Sequence, residues 1–199
     1  MAVVAEGKTL IEALEEAKNQ LGTESIIYKK EEITTGKIIR KTIFKVTAIS
    51  SKELMEEIKK YLTEVIQNMG LEVQFETSMR EETYELTMYS NNNPILIGKN
   101  GKTLKALETL VRARINLEWG VTPKVVLDVE NYKEKRIAYL ERLAIKTAKE
   151  VRATKVDAAL ENMNSFERRV IHNKLTNFKG VSTISEGEEP NRHVIIKAE

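Results

Sequence analysis

The sequence predicts an α+β protein of three small domains in series, spanning residues 1–50, 51–132 and 133–199. Three observations carry that expectation. Helix-start signatures recur at Thr9 with Glu12, Ser50 with Glu53 and Asn164 with Glu167, each setting a carboxylate three residues after a short polar side chain, as a capping box does. Within each block, β-type runs follow helical periodicity. Charge is also partitioned: the chain carries +2 overall, but residues 1–93 sum to −4 and residues 94–180 to +8.

The first block opens on a helix. Leu10, Ala13, Leu14, Ala17 and Leu21 recur at helical spacing, and Gly22 supplies a left-handed stop. The runs "SIIYKKEEI" and "KIIRKTIFKVTAI" then read as a hairpin, although Ile39, Ile43, Phe44 and Val46 break simple alternation and leave the register open. In the second block, Leu54, Ile58, Tyr61, Leu62, Val65, Ile66 and Met69 form one helical face that ends at Gly70. "LEVQFET" and "TYELTMYS" alternate as strands around a turn at Arg80, Glu81 and Glu82. A glycine pair follows, then a helix from Lys102 to about Leu117, a turn at Gly120 and Pro123, and the strand "KVVLDVE". The third block starts with a helix over about 132–152, followed by a β-type run "KVDAALENM" and the helix "SFERRVIHNKLTNF" stopped by Gly180. The strands "VSTIS" and "RHVIIKA" close it, joined by "EGEEPN".

Composition narrows the chemistry. With no cysteine, disulfides, thiolate metal sites and cysteine nucleophiles are excluded, and a reducing compartment is the fitting environment. No apolar run approaches membrane-span length and no basic-then-apolar leader opens the chain, so a cytoplasmic location is expected. Asp128 and Asp157 each stand alone, and His172 and His193 lack helical ligand spacing, so neither a carboxylate-pair nor a histidine metal site is expected. Trp119 beside Gly120 reads as a helix-end anchor. The basic block beginning near residue 94 points to a polyanionic partner, most simply nucleic acid.

That block begins with "ILIGKNGKTL". Gly101-Lys102-Thr103 matches the end of a phosphate-binding P-loop, but the glycine required five positions earlier is Leu96, so a nucleotide cradle is excluded. Two readings remain: a plain turn using glycines for positive φ, and a G-x-x-G clamp on a nucleic-acid backbone. In the clamp, Gly98 and Gly101 let sugar-phosphates approach the main chain, the next helix points its N-terminus at them, and Lys99 and Lys102 supply charge. The motif Ile97-Gly98-Lys99-Asn100-Gly101-Lys102, set after two strands and before a helix and a third strand, resembles a KH domain of the type II order αββααβ over about residues 51–132. The resemblance implies single-stranded RNA running over the loop, with its phosphates on loop N–H groups and bases resting on Ile95, Ile97 and Leu104.

In "ERRVIHNKL", Arg168 and His172 lie four apart and share a helix face, a pairing suited to a phosphate or a stacked base. With "ALENMNSFERR" before it and "STISEGEEPNRHVIIK" after it, the pair resembles the R-three-H domain over about residues 133–199. This implies a small sheet with helices that binds single-stranded nucleic acid, RNA or DNA, through Arg168, His172 and Arg169. The succession of a short α+β block, a KH domain and an R-three-H domain is similar to the Jag, or SpoIIIJ-associated, family, whose N-terminal start "GKTLIEALEEAKNQLG" resembles. The usual K-G-x-F-G motif of that N-terminal domain is replaced by "TTGKIIRKTIF", where only Gly36-Lys37 hints at it, so its docking role is an open expectation. The family resemblance implies a non-enzymatic RNA-binding regulator without cofactor, acting in cell elongation and division, associating with a small KH-only partner or a second copy, and working near the membrane insertase. A protein-pairing scaffold and a ribosome-associated factor are the alternatives.

Overall fold

The computed structural model describes residues 1–35 and 41–199. The chain forms two compact units, Met1–Glu130 and Asn131–Glu199. Among the described residues, the first holds two three-stranded sheets and the second holds one.

The first sheet corrects the sequence reading, because a strand precedes the first helix. β1 (Val3–Gly7) leads into α1 (Leu10–Leu21), β2 (Ile26–Thr35) and β3 (Lys41–Ser50), and the order β1-β3-β2 puts β3 in the centre. β1 has only five residues and no alternation of its own. It is a strand because it pairs antiparallel with β3, Ala5 opposite Val46. Thr9 caps α1 by accepting from the Glu12 N–H at 3.2 Å, and Gly22 closes the helix in the left-handed conformation. Ala13 and Ala17 of α1 pack on Ala5, Val46 and Ala48. Ile49, which points to the opposite face of β3, is buried as well. Burial on both faces is why period-two patterning fails there. The Gly36-Lys37 feature and Ile39 lie outside the described residues.

The division expected at residue 50 falls at the junction of β3 and α2 (Ser51–Asn68), inside the first unit. Ser50 caps α2, and Ser51 donates its N–H to the Ser25 carbonyl at 3.0 Å, tying α2 to the start of β2. Then come β4 (Val73–Arg80), β5 (Thr83–Ser90), α3 (Asn93–Ile97), a 3-10 turn (Lys99–Gly101), α4 (Lys102–Trp119) and β6 (Lys124–Val129). Glu81 and Glu82 both take positive φ, as a two-residue hairpin turn requires. β5 is central, antiparallel to β4 and parallel to β6. Parallel pairing needs a crossover, and α3 with α4 provides it. Tyr84, Leu86 and Met88 of β5 and Val125, Leu127 and Val129 of β6 are buried, as are Leu54, Ile58, Leu62 and Ile66 of α2 and Leu104, Leu107, Val111 and Ile115 of α4. Trp119, the last residue of α4, is buried, in keeping with a helix-end anchor.

The second unit comprises α5 (Tyr132–Thr154), β7 (Ala158–Ala159), α6 (Ser165–Leu175), β8 (Val181–Glu186) and β9 (His193–Ala198), with sheet order β7-β9-β8. Leu140, Ala144, Ala148 and Val151 of α5 meet Ile171 and Leu175 of α6 and Val181, Val194 and Ile196 of the sheet. The β-type run "KVDAALENM" yields only a two-residue ladder. Beyond it the chain stays beside β9 through isolated bonds, Leu160 N–H to the Val194 carbonyl at 2.9 Å and Met163 N–H to the Arg192 carbonyl at 3.1 Å. α6 starts with the complete Asn164/Glu167 capping box and ends at Leu175, short of Phe178. There the Phe178 N–H bonds the Leu175 carbonyl at 2.9 Å, a tighter turn than the helix would make.

Candidate nucleic-acid interface

Two constellations merit comparison: the glycine turn of the first unit and the Arg168/His172 face of the second.

Pro94 near the start of α3 has no N–H to lose in a first turn, and Gly98 ends the helix after five residues by donating to the Pro94 carbonyl at 2.9 Å. Gly98 adopts φ +69 and ψ 178, a conformation essentially reserved for glycine. A Cβ there would stand 2.1 Å from the Thr103 Oγ1. Gly98 is therefore required by backbone and packing before any ligand is considered. Asn100 (φ 54) and Gly101 (φ 75) follow in the left-handed region, and α4 begins at Lys102. Gly101 donates to the Gly98 carbonyl, and Lys102 donates to that of Lys99. Three backbone N–H groups, those of Gly98, Gly101 and Lys102, are thus spent holding the turn. Attraction for an anion rests on the exposed side chains of Lys99 and Lys102 and on the end of α4, which has no side-chain cap and no acidic residue in its first turn. Ile95 is exposed and Ile97 half-buried beside the turn, whereas Leu104 is buried in the core and forms the underside of this surface rather than its floor.

The second constellation is arranged in the opposite manner. Arg168 is only 8% exposed, and its Nη1 donates to the Met163 carbonyl at 2.7 Å and to Glu189 Oε1 at 2.8 Å. The guanidinium that the sequence offers to a phosphate is already engaged within the fold. Glu189, by contrast, is 61% exposed. His172 is half-buried, with Nδ1 at 2.6 Å from Thr183 Oγ1 and Nε2 at 2.8 Å from Ser185 Oγ. These hydroxyls alternate along β8, so they share the face that α6 covers. Burial, then the Arg168 charge, holds the imidazole below its ordinary pKa, and the neutral ring serves as donor to one hydroxyl and acceptor from the other. Arg169 alone of the three presents its side chain to solvent, near the exposed Phe166. Val170 and Leu175 pack inward. Sequence reasoning missed Thr103, Met163, Thr183, Ser185 and Glu189 as partners. Only the i, i+2 spacing of Thr183 and Ser185 carried a signal.

Among the described residues, no cluster of three or more His, Cys, Asp or Glu could hold a metal ion, and no helix is long and apolar enough to cross a membrane.

Comparison with known proteins identifies both domains. Residues 55–127 match the family described as KhpA/KhpB, KH domain, and residues 138–198 match the R-three-H domain. The chain is 39% identical over 153 residues to the RNA-binding protein KhpB of Clostridium symbiosum, covering 76% of this chain and 69% of that protein. It is 33% identical over 206 residues to the protein of the same name from Bacillus subtilis strain 168, covering 98% of this chain and 97% of that protein. With the corresponding protein of Lactiplantibacillus plantarum the identity is 38% over 136 residues, 68% of this chain and 42% of the other. The match to the KhpA/KhpB KH domain, the match to the R-three-H domain and 33% identity over nearly the full length of the Bacillus subtilis protein place the chain in the KhpB (Jag) family.

Proposed function

We propose that this protein is a non-enzymatic regulator that binds single-stranded RNA, using residues 51–132 as a KH module and 133–199 as an R-three-H module. The observation that carries the reading is the turn at Gly98 and Gly101. It sets two exposed lysines around an uncapped helix N-terminus, beside the apolar side chains of Ile95 and Ile97. The family's printed name, RNA-binding protein, supports the same partner.

RNA phosphates sit on Lys99, Lys102 and the start of α4, with Ile97, Gly98, Asn100 and Gly101 shaping the surface. A second stretch lies against α6, where Arg169 makes direct contact and Arg168 and His172 hold the helix in place. A phosphate reaches Arg168 by displacing the exposed Glu189. Two modest sites on one chain gain avidity through effective concentration. Family membership supports a cytoplasmic role in cell elongation and division, close to the membrane insertase. The test is titration of labelled single-stranded RNA against the Lys99→Asp/Asn100→Asp variant. About tenfold or greater weakening is expected, and unchanged affinity at moderate salt would sink the placement of RNA on the glycine turn.

One observation favours an additional protein-pairing role. The outward face of α4 carries Ala106, Leu110, Ala113 and Leu117 at i, i+4, i+7 and i+11, with Leu110 45% and Leu117 84% exposed. Such a stripe fits the α4 of a second copy or of a small KH-only partner. Leu110→Asp/Leu117→Asp should reduce the mass measured by light scattering if a pair forms, and leave RNA binding per chain in place.

A further inference from the structure

The 23 residues of α5 bury one face on the core of the second unit and turn the other outward. At 100° per residue, the direction opposite Leu140, Ala144, Ala148 and Val151 is occupied by Lys135, Ala138, Tyr139, Arg142, Lys146, Lys149 and Ala153, all exposed. Lys135, Arg142, Lys146 and Lys149 form no ion pair among the described residues. Of the acids of this helix, Glu134 and Glu141 lie off this face, with Glu141 paired with Lys174 at 2.9 Å, and Glu150 borders it four residues after Lys146. From Lys135 to Lys149 the stripe runs about 21 Å.

Other long helices do not look like this. α2 mixes signs, with Lys59 on Glu56 at 3.1 Å, and α4 presents an apolar stripe. A solvated surface ordinarily intersperses both charges. A helix face with four cations and a single acid at its border, in a chain of nearly balanced charge, suits a polyanion.

Tyr139 adds a second, independent feature. It is 48% exposed within the stripe, and Arg136 lies over its ring at 5.4 Å from the centroid. Arg136 is itself held by the buried Glu167, Nε to Oε1 at 2.7 Å. The chain Glu167–Arg136–Tyr139 fixes an exposed aromatic ring among unpaired cations. A ring of this kind offers a surface on which an unpaired base can stack, and a duplex, whose bases are already stacked, gains nothing from it.

We propose that the outward face of α5, comprising Lys135, Tyr139, Arg142, Lys146 and Lys149, is a further binding track for single-stranded RNA, distinct from the glycine turn and from the Arg168/His172 face. The cations follow the phosphates and Tyr139 stacks on a base. The inference rests on the RNA-binding reading, and the experiment separates the two. Labelled single-stranded RNA and a duplex of the same sequence are titrated against the full chain, the Arg142→Glu/Lys146→Glu/Lys149→Glu variant, Tyr139→Leu, and the Lys99→Asp/Asn100→Asp variant, with melting curves as the folding control. Charge reversal should weaken single-strand binding by about tenfold or more. Tyr139→Leu should weaken it by about tenfold for the single strand and leave the duplex unaffected. If the loop variant loses affinity while the α5 variants bind like the parent, this inference fails and the KH reading stands. If the full chain binds no RNA, both fail. Loss of binding to phosphatidylserine vesicles on charge reversal, with RNA affinity unchanged, would also overturn the proposal and assign the stripe to a membrane surface.

Discussion

The glycine turn and the Arg168/His172 face carry the two sequence motifs of the chain, yet they use their polar groups in opposite ways. Around Gly98 and Gly101 the constraint lies in the backbone, and the charged ends of Lys99 and Lys102 remain in water. Around Arg168 the backbone is ordinary helix, and the charged and polar ends are consumed by Met163, Glu189, Thr183 and Ser185. A motif can therefore mark a surface kept available for a ligand or a clamp that organises the fold. The sequence alone does not distinguish them, because the distinction lies in what the side chains meet.

This contrast can be broken most forcefully at Arg168. Arg168→Ala leaves the Met163 carbonyl unpaired in a buried setting and removes packing, and should cost about 2–3 kcal/mol, read from urea unfolding. Were Arg168 chiefly a ligand contact, its loss would leave the unfolding midpoint unmoved. Gly98→Ala probes the other side of the comparison. With φ +69 and Thr103 in the way, it should destabilise by about 2 kcal/mol or more. Gly22→Ala, where φ is +64 but a Cβ meets nothing within 4 Å, should cost only about 1 kcal/mol. Equal losses at the two glycines would show that Thr103 yields freely.

The histidine gives a smaller, pH-dependent signature. Its folded pKa is depressed below the ordinary 6.5, so the unfolded chain binds the proton more readily. The contribution to stability is complete above 6.5 and is lost as pH falls from there through the folded pKa. Urea unfolding at about pH 7.5 and about pH 5.5 should show a drop that His172→Gln reduces. An identical drop in both proteins would remove His172 from the account. Smallest of all is Glu189→Gln. Its exposed ion pair is worth up to about 1 kcal/mol, and its removal should raise RNA affinity modestly if phosphate competes for Arg168.

Legibility followed the same divide. The order of elements around "GKNG" was readable because capping residues, alternation and glycine each act locally, as at Ser50 with Glu53 and at Gly98. β1 was missed because a five-residue edge strand owes its existence to β3, more than forty positions from Ala5 at Val46. The short β7 was over-read because Ala158 and Ala159 alone find a ladder partner in β9. The roles of Arg168 and His172 were hidden for the same reason: Glu189 and Ser185 lie 21 and 13 residues away.

The most direct test of the central claim is the salt dependence of RNA binding. Log Kd for single-stranded RNA is measured against log salt concentration for the full chain and for Lys99→Ala/Lys102→Ala, with a melting curve for each. The account predicts a slope shallower by about 1.4 in the variant, about 0.7 for each lost phosphate contact, at an unchanged melting temperature. An unchanged slope would contradict it.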